Sequence, residues 1–358
     1  MSFRVLAINP GSTSTKIAVY NDKEAVFTKT LRHDPNELDA FGGIIEQYEF
    51  RKNLVLKAME ENGVHKESLN AVVGRGGLIK AVPGGTFAIN KKLLSDLQDP
   101  TLWGRIHASN LGAFIAHSIA EELSLPSFIV DPVTVDEFDD IARISGIKEI
   151  ERKSLFHALN IRYIAINLAE ELGKKFEESN MIGVHMGGGI TVAAIKQGKV
   201  VDVNNALLGM GPFSPQRSGA LPIGDLVELA FSGKYTKKEL LTKLSKNSGL
   251  LEYLGTDSGI EIEERVEKGD NEALFIMDAM SYQVSKEIGA CATILKGKVD
   301  AIFITGGLAY NTCITAFIKN ACSFIAPIHM FPGEKEMEAL SQGAVRVLKG
   351  KEKVKIYE

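Results

Sequence analysis

The sequence, 358 residues long, predicts an α/β protein made of two similar domains, and three observations predict it. First, the β-prone run Val5–Ile8 enters Asn9-Pro10-Gly11-Ser12-Thr13-Ser14-Thr15-Lys16, and a second such run, Ile17–Tyr20, leaves it. The same pattern returns as Met181–His185, Met186-Gly187-Gly188-Gly189 and Ile190–Ile195. Second, Ala71-Val72-Val73 ends in Gly74-Arg75-Gly76-Gly77, as Ala301–Ile304 ends in Thr305-Gly306-Gly307; each is an apolar strand delivering backbone to a glycine turn. Third, apolar residues at three- and four-residue spacing predict helices over Leu111–Leu123, Leu155–Phe176 and Ala273–Leu295, so strand and helix alternate. From Asn9 to His185 the repeat is 176 residues, far above the ~20–50 residues of a solenoid unit.

Taken in chain order, the first hairpin offers many N–H and O–H donors with little bulk, which suits phosphate. It is not a Walker loop, because Gly11 reaches Lys16 without a second glycine and a strand follows. The change of domain is expected near Ser145–Gly146, before the helix that follows Lys153-Ser154. This gives a first domain of 1–150 with a C-terminal helix at about 337–358, and a second of 151–336. Gly209–Gly219 holds two prolines and three glycines, which excludes a helix and makes it a structured loop carrying Arg217.

Composition narrows the function. With 41 Lys and Arg against 45 Asp and Glu, a net charge of -4, there is no electrostatic footprint for nucleic acid or an anionic membrane. Small molecules are the expected partners. Cys291, Cys313 and Cys322 form no C-x-x-C pair and read as reduced, mostly buried thiols. Arg4 interrupts the first apolar run, no small-residue cleavage signal follows, and no ~18-residue apolar run occurs. A cytoplasmic protein is expected.

Arginine binds phosphate or carboxylate with two donors at once, and Arg75 and Arg217 both stand among glycines. Among the histidines, His107 in Arg105–Asn110, His157 in Ser154–Asn160, and His185 at a strand end before Gly187 have distinctive settings. Each has a bland alternative as a hydrogen-bonded core residue, and His185 is the best donor to a transferring phosphoryl group. His33, His65, His117 and His329 show no companion polar group and read as structural. Asp131 follows Phe128-Ile129-Val130 at a strand tip, where a turn-forming role competes with a functional one. Glu334 and Glu336 suit the first turn of a final helix, and Asp257 suits a turn.

In this order, Asn9–Lys16, Arg75-Gly76-Gly77, His107-Ala108-Ser109-Asn110, Val130-Asp131-Pro132-Val133, Phe156-His157-Ala158-Leu159-Asn160, His185–Gly189, Gln216-Arg217-Ser218-Gly219 and Thr305-Gly306-Gly307 resemble the acetokinase family of the actin, hexokinase and sugar-kinase superfamily over essentially the whole chain. The resemblance implies two duplicated ribonuclease-H-like, actin-like ATPase domains flanking a cleft. It implies reversible, ATP-dependent phosphorylation of a short-chain fatty acid, butyrate ahead of acetate, propionate or a branched acid, with ATP/ADP and Mg²⁺ as cofactors and a homodimer or larger assembly. By the same resemblance, Asn9, Ser12, Ser14 and Lys16 lie at phosphate, and Gly187, Gly188, Asp257, Gly306, Gly307 and Asn311 at the nucleotide. Arg75 and Arg217 bind substrate carboxylate and the phosphoryl group, His185 donates to that group, and Asp131 orients substrate or helps organise the metal. His107 binds substrate, His157 is catalytic, and Glu336, or Glu334, with Asn9 serves the metal. One departure stands out: relatives carry an arginine shortly after the aspartate of the nucleotide loop, whereas this chain reads Asp257-Ser258-Gly259-Ile260. A non-catalytic ATP-binding protein and an actin-like filament are the rivals from other classes.

Overall fold

The computed structural model describes residues 2–104 and 106–358; Arg105, quoted above in the run before His107, lies outside them. The chain forms two units, Met1–Val135 with Lys335–Glu358, and Asp136–Glu334.

In the first unit, strands β1 (Arg4–Pro10), β2 (Ser14–Asn21), β3 (Glu24–Arg32), β4 (Ala71–Arg75), β5 (Thr86–Ala88) and β6 (Ser127–Val130) join the C-terminal strand Lys355–Ile356 in one sheet. The spatial order is C-terminal strand, β5, β6, β4, β1, β2, β3. β1, β2 and β3 pair antiparallel, while β4 runs parallel to β1 and β6 parallel to β4. The central strands are buried on both faces, as parallel strands covered by helices are. Leu6, Ile8, Val72 and Ile129 pack with residues of helices Tyr48–Glu61 and Leu111–Glu122. On the other face, helix Glu336–Leu348 comes so close that a Cβ on Gly343 would press into Val130.

In the second unit, β7 (Asn180–Met186), β8 (Ile190–Lys196), β9 (Lys199–Val203), β10 (Ala301–Gly306) and β11 (Ile328–Pro332) take the order β11, β10, β7, β8, β9. Read from its antiparallel edge, this sheet is β9-β8-β7-β10-β11 and the first is β3-β2-β1-β4-β6. The same five-strand order in both halves is the duplication that the paired hairpins foretell. The expected helix over Leu155–Phe176 is shorter, Ala158–Glu171, because the chain leaves it through Gly173 at φ +67°, a conformation glycine adopts without a Cβ penalty. Cys291 and Cys322 are buried and Cys313 half-buried, all as free thiols. Among the described residues no helix is long and apolar enough to cross a membrane.

Residues 136–150 fold with the second unit, for physical reasons. Asp139 N–H donates to Val201 O (3.1 Å), Val200 N–H to Glu137 Oε2 (3.0 Å), and Arg162 Nη1 to the same Glu137 oxygen (3.1 Å). Arg152 grips Asp202 with both Nη atoms. These bonds dock the segment on β9 ahead of the glycine at 146.

The glycine that ends β10 bears directly on the site. Gly306 sits at φ +92°, and a Cβ there would overlap Met186 O. Gly306→Ala is therefore expected to cost about 3 kcal/mol or more, from strained φ plus overpacking. Gly307 meets nothing within 4 Å, so Gly307→Ala should stay within about 0.5 kcal/mol of the parent. Urea unfolding of the two variants side by side checks the contrast.

Candidate active site

In the first unit three sequence-distant side chains meet. β1 brings Asn9 to its end opposite Lys16 of β2, so both side chains leave the same face of the hairpin. Asn9 Nδ2 donates to Glu336 Oε2 (2.7 Å), and Arg75, last residue of β4, donates through Nη1 to Glu336 Oε1. Glu336 is the first residue of the final helix, where the helix dipole favours a carboxylate. Arg75 and Glu336 are each only 17% exposed in their side chains, which makes the pair stronger than a surface one. Between β1 and β2, Ser12 and Thr13 are exposed, and Ser14, the first residue of β2, is half-buried. Gly74 and Gly77 let the Arg75 loop lie against the start of helix Leu111–Glu122, since a Cβ on either would overlap Gly112 O or Asn110 Oδ1.

Two residues expected near substrate are held by local turns. Asp131, buried and at φ +37°, accepts the Gly85 N–H at Oδ1 (2.6 Å) while its own N–H donates to Gly85 O (3.0 Å). One carboxylate oxygen is thus committed to the backbone. His107 begins the turn before helix Leu111–Glu122, its Nδ1 2.9 Å from Ser109 Oγ and accepting from Ser109 N–H (3.2 Å).

In the second unit His185 lies at the end of β7, 2% exposed. Its protonation follows from a chain of bonds. Thr305 Oγ1 donates to Gly333 O (3.0 Å), so it accepts from Asn160 Nδ2 (3.1 Å). That fixes the Asn160 amide nitrogen on this side, and it also donates to His185 Nδ1 (2.9 Å). Nδ1 is therefore the acceptor, and the neutral imidazole carries its hydrogen on Nε2. Nε2 points along the glycine turn, 3.4 Å from where a Cβ on Gly187 would sit. His157 stacks on His185 with centroids 4.1 Å apart and planes 20° from parallel, its Nδ1 2.7 Å from Thr191 Oγ1. Asn160, Thr191 and Thr305, which orient these rings, are the residues that sequence reasoning missed. Asn160 and Thr305 stand in motifs quoted above and Thr191 pairs with His185 across the hairpin, but nothing in the sequence shows that these side chains orient the two rings.

Arg217 stands on the loop Gly209–Gly219 beside this hairpin. Its N–H donates to Ser214 Oγ (3.2 Å), which donates to Gly188 O (2.7 Å), and its Nη1 bonds Ala206 O. A Cβ on Gly189 would overlap that Nη1, so the third glycine of the turn is what admits the guanidinium. An apolar groove of about 670 Å³, with Ile190, Ala206, Leu207 and Pro212 in its wall, opens at Arg217.

A second pocket of about 400 Å³ gathers Gly187, Gly188, Asp257, Gly307 and Asn311, with Ile260 on its wall. Asp257 is tied to Gln216 Nε2. Asn311 is spent on structure, capping helix Thr312–Cys322 by accepting from Ile314 N–H (2.9 Å).

Comparison with known proteins identifies the family. A family model described as the acetokinase family matches residues 145–329. The chain is 50% identical over 356 residues to butyrate kinase 1 of Clostridium acetobutylicum, covering 99% of this chain and 100% of that protein. It is 51% identical over 358 residues to butyrate kinase 2 of the same organism, covering all of both. The crystal structure of Porphyromonas gingivalis acetate kinase superposes with a TM-score of 0.79 at 19% identity, covering 96% of this chain and 100% of that one, which shows the fold. With full-length identity of this order and the duplicated sheets beneath it, the chain belongs to the acetokinase family.

Proposed function

We propose that this protein is a butyrate kinase, transferring the γ-phosphoryl group of ATP to butyrate and running the reverse reaction. The observation that carries the reading is the identity of about one half, over the entire chain, to two butyrate kinases. A carboxylate oxygen forms the new bond to phosphorus while the bond to the β,γ-bridging oxygen breaks, giving butyryl phosphate and ADP. The acid is already ionised at pH 7, so no general base is required and no phosphoenzyme is needed. What remains is positioning and neutralisation of charge.

Each group's part follows from its own surroundings. The pocket around Gly187, Gly188 and Gly307 takes the nucleotide, its glycines letting phosphates approach backbone N–H groups. Arg217 offers its fork to an anionic oxygen, and the groove beside it takes the alkyl chain. His185 donates from Nε2 to the transferring group without having to be charged. The N–H and O–H groups of Ser12 and Ser14, with Lys16, hold phosphate in the first unit, and Arg75 neutralises a further oxyanion. Among the described residues no three His, Cys, Asp or Glu side chains form a metal cluster. Mg²⁺ arriving on nucleotide phosphates needs only one or two protein oxygens, and the Glu336 carboxylate with Asn9 Oδ1 suits that demand. Bound there, Mg²⁺ would supply charge neutralisation and orientation of the phosphates.

The test is hydroxamate-coupled detection of acyl phosphate with ATP and Mg²⁺ across acetate, propionate, butyrate, isobutyrate and valerate. A maximum of kcat/KM at butyrate is expected, with about 10-fold or more lost per methylene removed. A maximum at acetate, or no acyl phosphate from any acid despite ATP binding, rejects the reading.

We also infer a homodimer. Helix Ile223–Phe231 (IGDLVELAF) has no buried residue, and Phe231 and Val227 are 87% and 48% exposed. Apolar exposure concentrated in this way marks an interface. Light scattering after size exclusion should give twice the chain mass, and Phe231→Asp should halve it.

A further inference from the structure

Behind the first hairpin lies a buried cation that the chemistry above does not use. Arg51, from helix Tyr48–Glu61, is 0% exposed. Its Nη1 donates to Gly11 O (2.8 Å), Ser14 O (3.0 Å) and Thr15 Oγ1 (3.2 Å), and its Nη2 to Ser12 O (2.9 Å) and Gln47 Oε1 (2.9 Å), while its buried Nε has no hydrogen-bond partner among the described residues. Every one of these partners is neutral, and Arg51 has no carboxylate within 4.0 Å among the described residues. Buried charges are normally paired. Burial draws the guanidinium down from 12.5 to about 10, which leaves it charged at pH 7.

His33 completes the cluster and corrects the expectation that it has no polar companion: its Nε2 lies 2.8 Å from Thr15 Oγ1. Burial first, and the charge of Arg51 second, press it to about 4. The ring is therefore neutral under working conditions, and the Arg51 charge stands single.

The direction of the carbonyls gives this charge a purpose. In a trans peptide the C=O and the following N–H point opposite ways. Because Gly11 O and Ser12 O are drawn inward to Arg51, the N–H groups of Ser12 and Thr13 are turned to the outer side, where both residues are exposed. Successive outward N–H groups make an anion-binding concavity, here with a fixed positive charge behind it.

We propose that Arg51 is a positioning residue for phosphate: it fixes the hairpin with its amides outward, and the phosphate bound there supplies the missing counter-charge. The proposal rests on the reading of this hairpin as a phosphate site. Calorimetric titration of Arg51→Lys and Arg51→Gln with MgADP and with inorganic pyrophosphate tests it, alongside their thermal melts. Both variants lose the fork and should melt at similarly lowered temperatures. Arg51→Lys keeps the charge and should bind within about tenfold of the parent, whereas Arg51→Gln should bind about 10²-fold more weakly. Equal weakening in the two variants, in step with their loss of stability, overturns the proposal. Should neither variant fold, wild-type melts decide: pyrophosphate should raise the melting temperature more than chloride of equal ionic strength, and no rise overturns the proposal. The parent reading has its own control, since Ser12→Ala/Ser14→Ala binding both ligands as tightly as wild type would remove the hairpin as a phosphate site.

Discussion

Arg217→Ala is expected to lower kcat for butyryl phosphate formation by about 10³-fold or more while leaving the fold intact. Two anions must approach each other in this reaction, and a correctly placed arginine at such a transition state supplies factors of about 10³–10⁵. Arg217 is anchored for that task through its own backbone on Ser214 Oγ, through Ser214 on Gly188 O, and through Nη1 on Ala206 O. Arg217→Lys should recover little, because a point charge cannot hold the Ala206 carbonyl and present a second donor to an oxyanion at once. Gly189→Ala separates position from presence: its Cβ would overlap Nη1 and push the guanidinium aside with the charge retained. A loss of about 10–10²-fold in kcat is expected there, since small misplacements at a reacting centre carry costs of that size. Saturating kinetics by the hydroxamate assay, with circular dichroism melts as control, measure all three. If Arg217→Ala keeps more than a tenth of wild-type kcat with a normal melt, the assignment is wrong.

The sequence made the two hairpins legible because their strands are short runs rich in Val, Ile and Ala that turn at glycine, a local signal in each half. The loop Gly209–Gly219 was legible for a similar reason, its prolines and glycines allowing nothing regular. The meeting of Asn9, Arg75 and Glu336 was not. Glu336 is 327 residues from Asn9 and 261 from Arg75, and only the return of the final helix onto the first sheet brings it there. Arg51 was hidden differently. Glu49-Phe50-Arg51-Lys52 looks like the solvated side of a helix, and its burial arises from the hairpin carbonyls that the arginine supports. Asp131 shows the converse case, a strand-tip carboxylate that commits an oxygen to a backbone N–H, as its turn-forming alternative allowed. Asn160 was visible as a member of a motif, but its task depends on Thr305, far along the chain on β10.

That task leads to the second large effect. His185→Gln should reduce kcat by about 10²–10³-fold, the usual loss when one oriented donor to a developing oxyanion is removed. The more telling variant is Asn160→Asp, which leaves His185 in place. In the native arrangement the Asn160 amide occupies Nδ1 and the hydrogen stays on Nε2, so the donor is present whether or not the ring is charged. An aspartate at 160 accepts where asparagine donates. It stabilises the imidazolium, which keeps its Nε2–H, but once that cation loses its Nε2 proton the remaining hydrogen is held on Nδ1 by the carboxylate. The donor then vanishes as pH rises. Wild-type kcat should therefore be level across the histidine range, from about pH 6 to 8, while the Asn160→Asp profile should fall by about 10-fold or more from the acid to the alkaline side. An aspartate that merely disturbed packing would lower kcat by one factor at every pH. A level profile for Asn160→Asp thus refutes the tautomer argument, whereas a sloping one ties phosphoryl transfer to the single hydrogen on His185 Nε2.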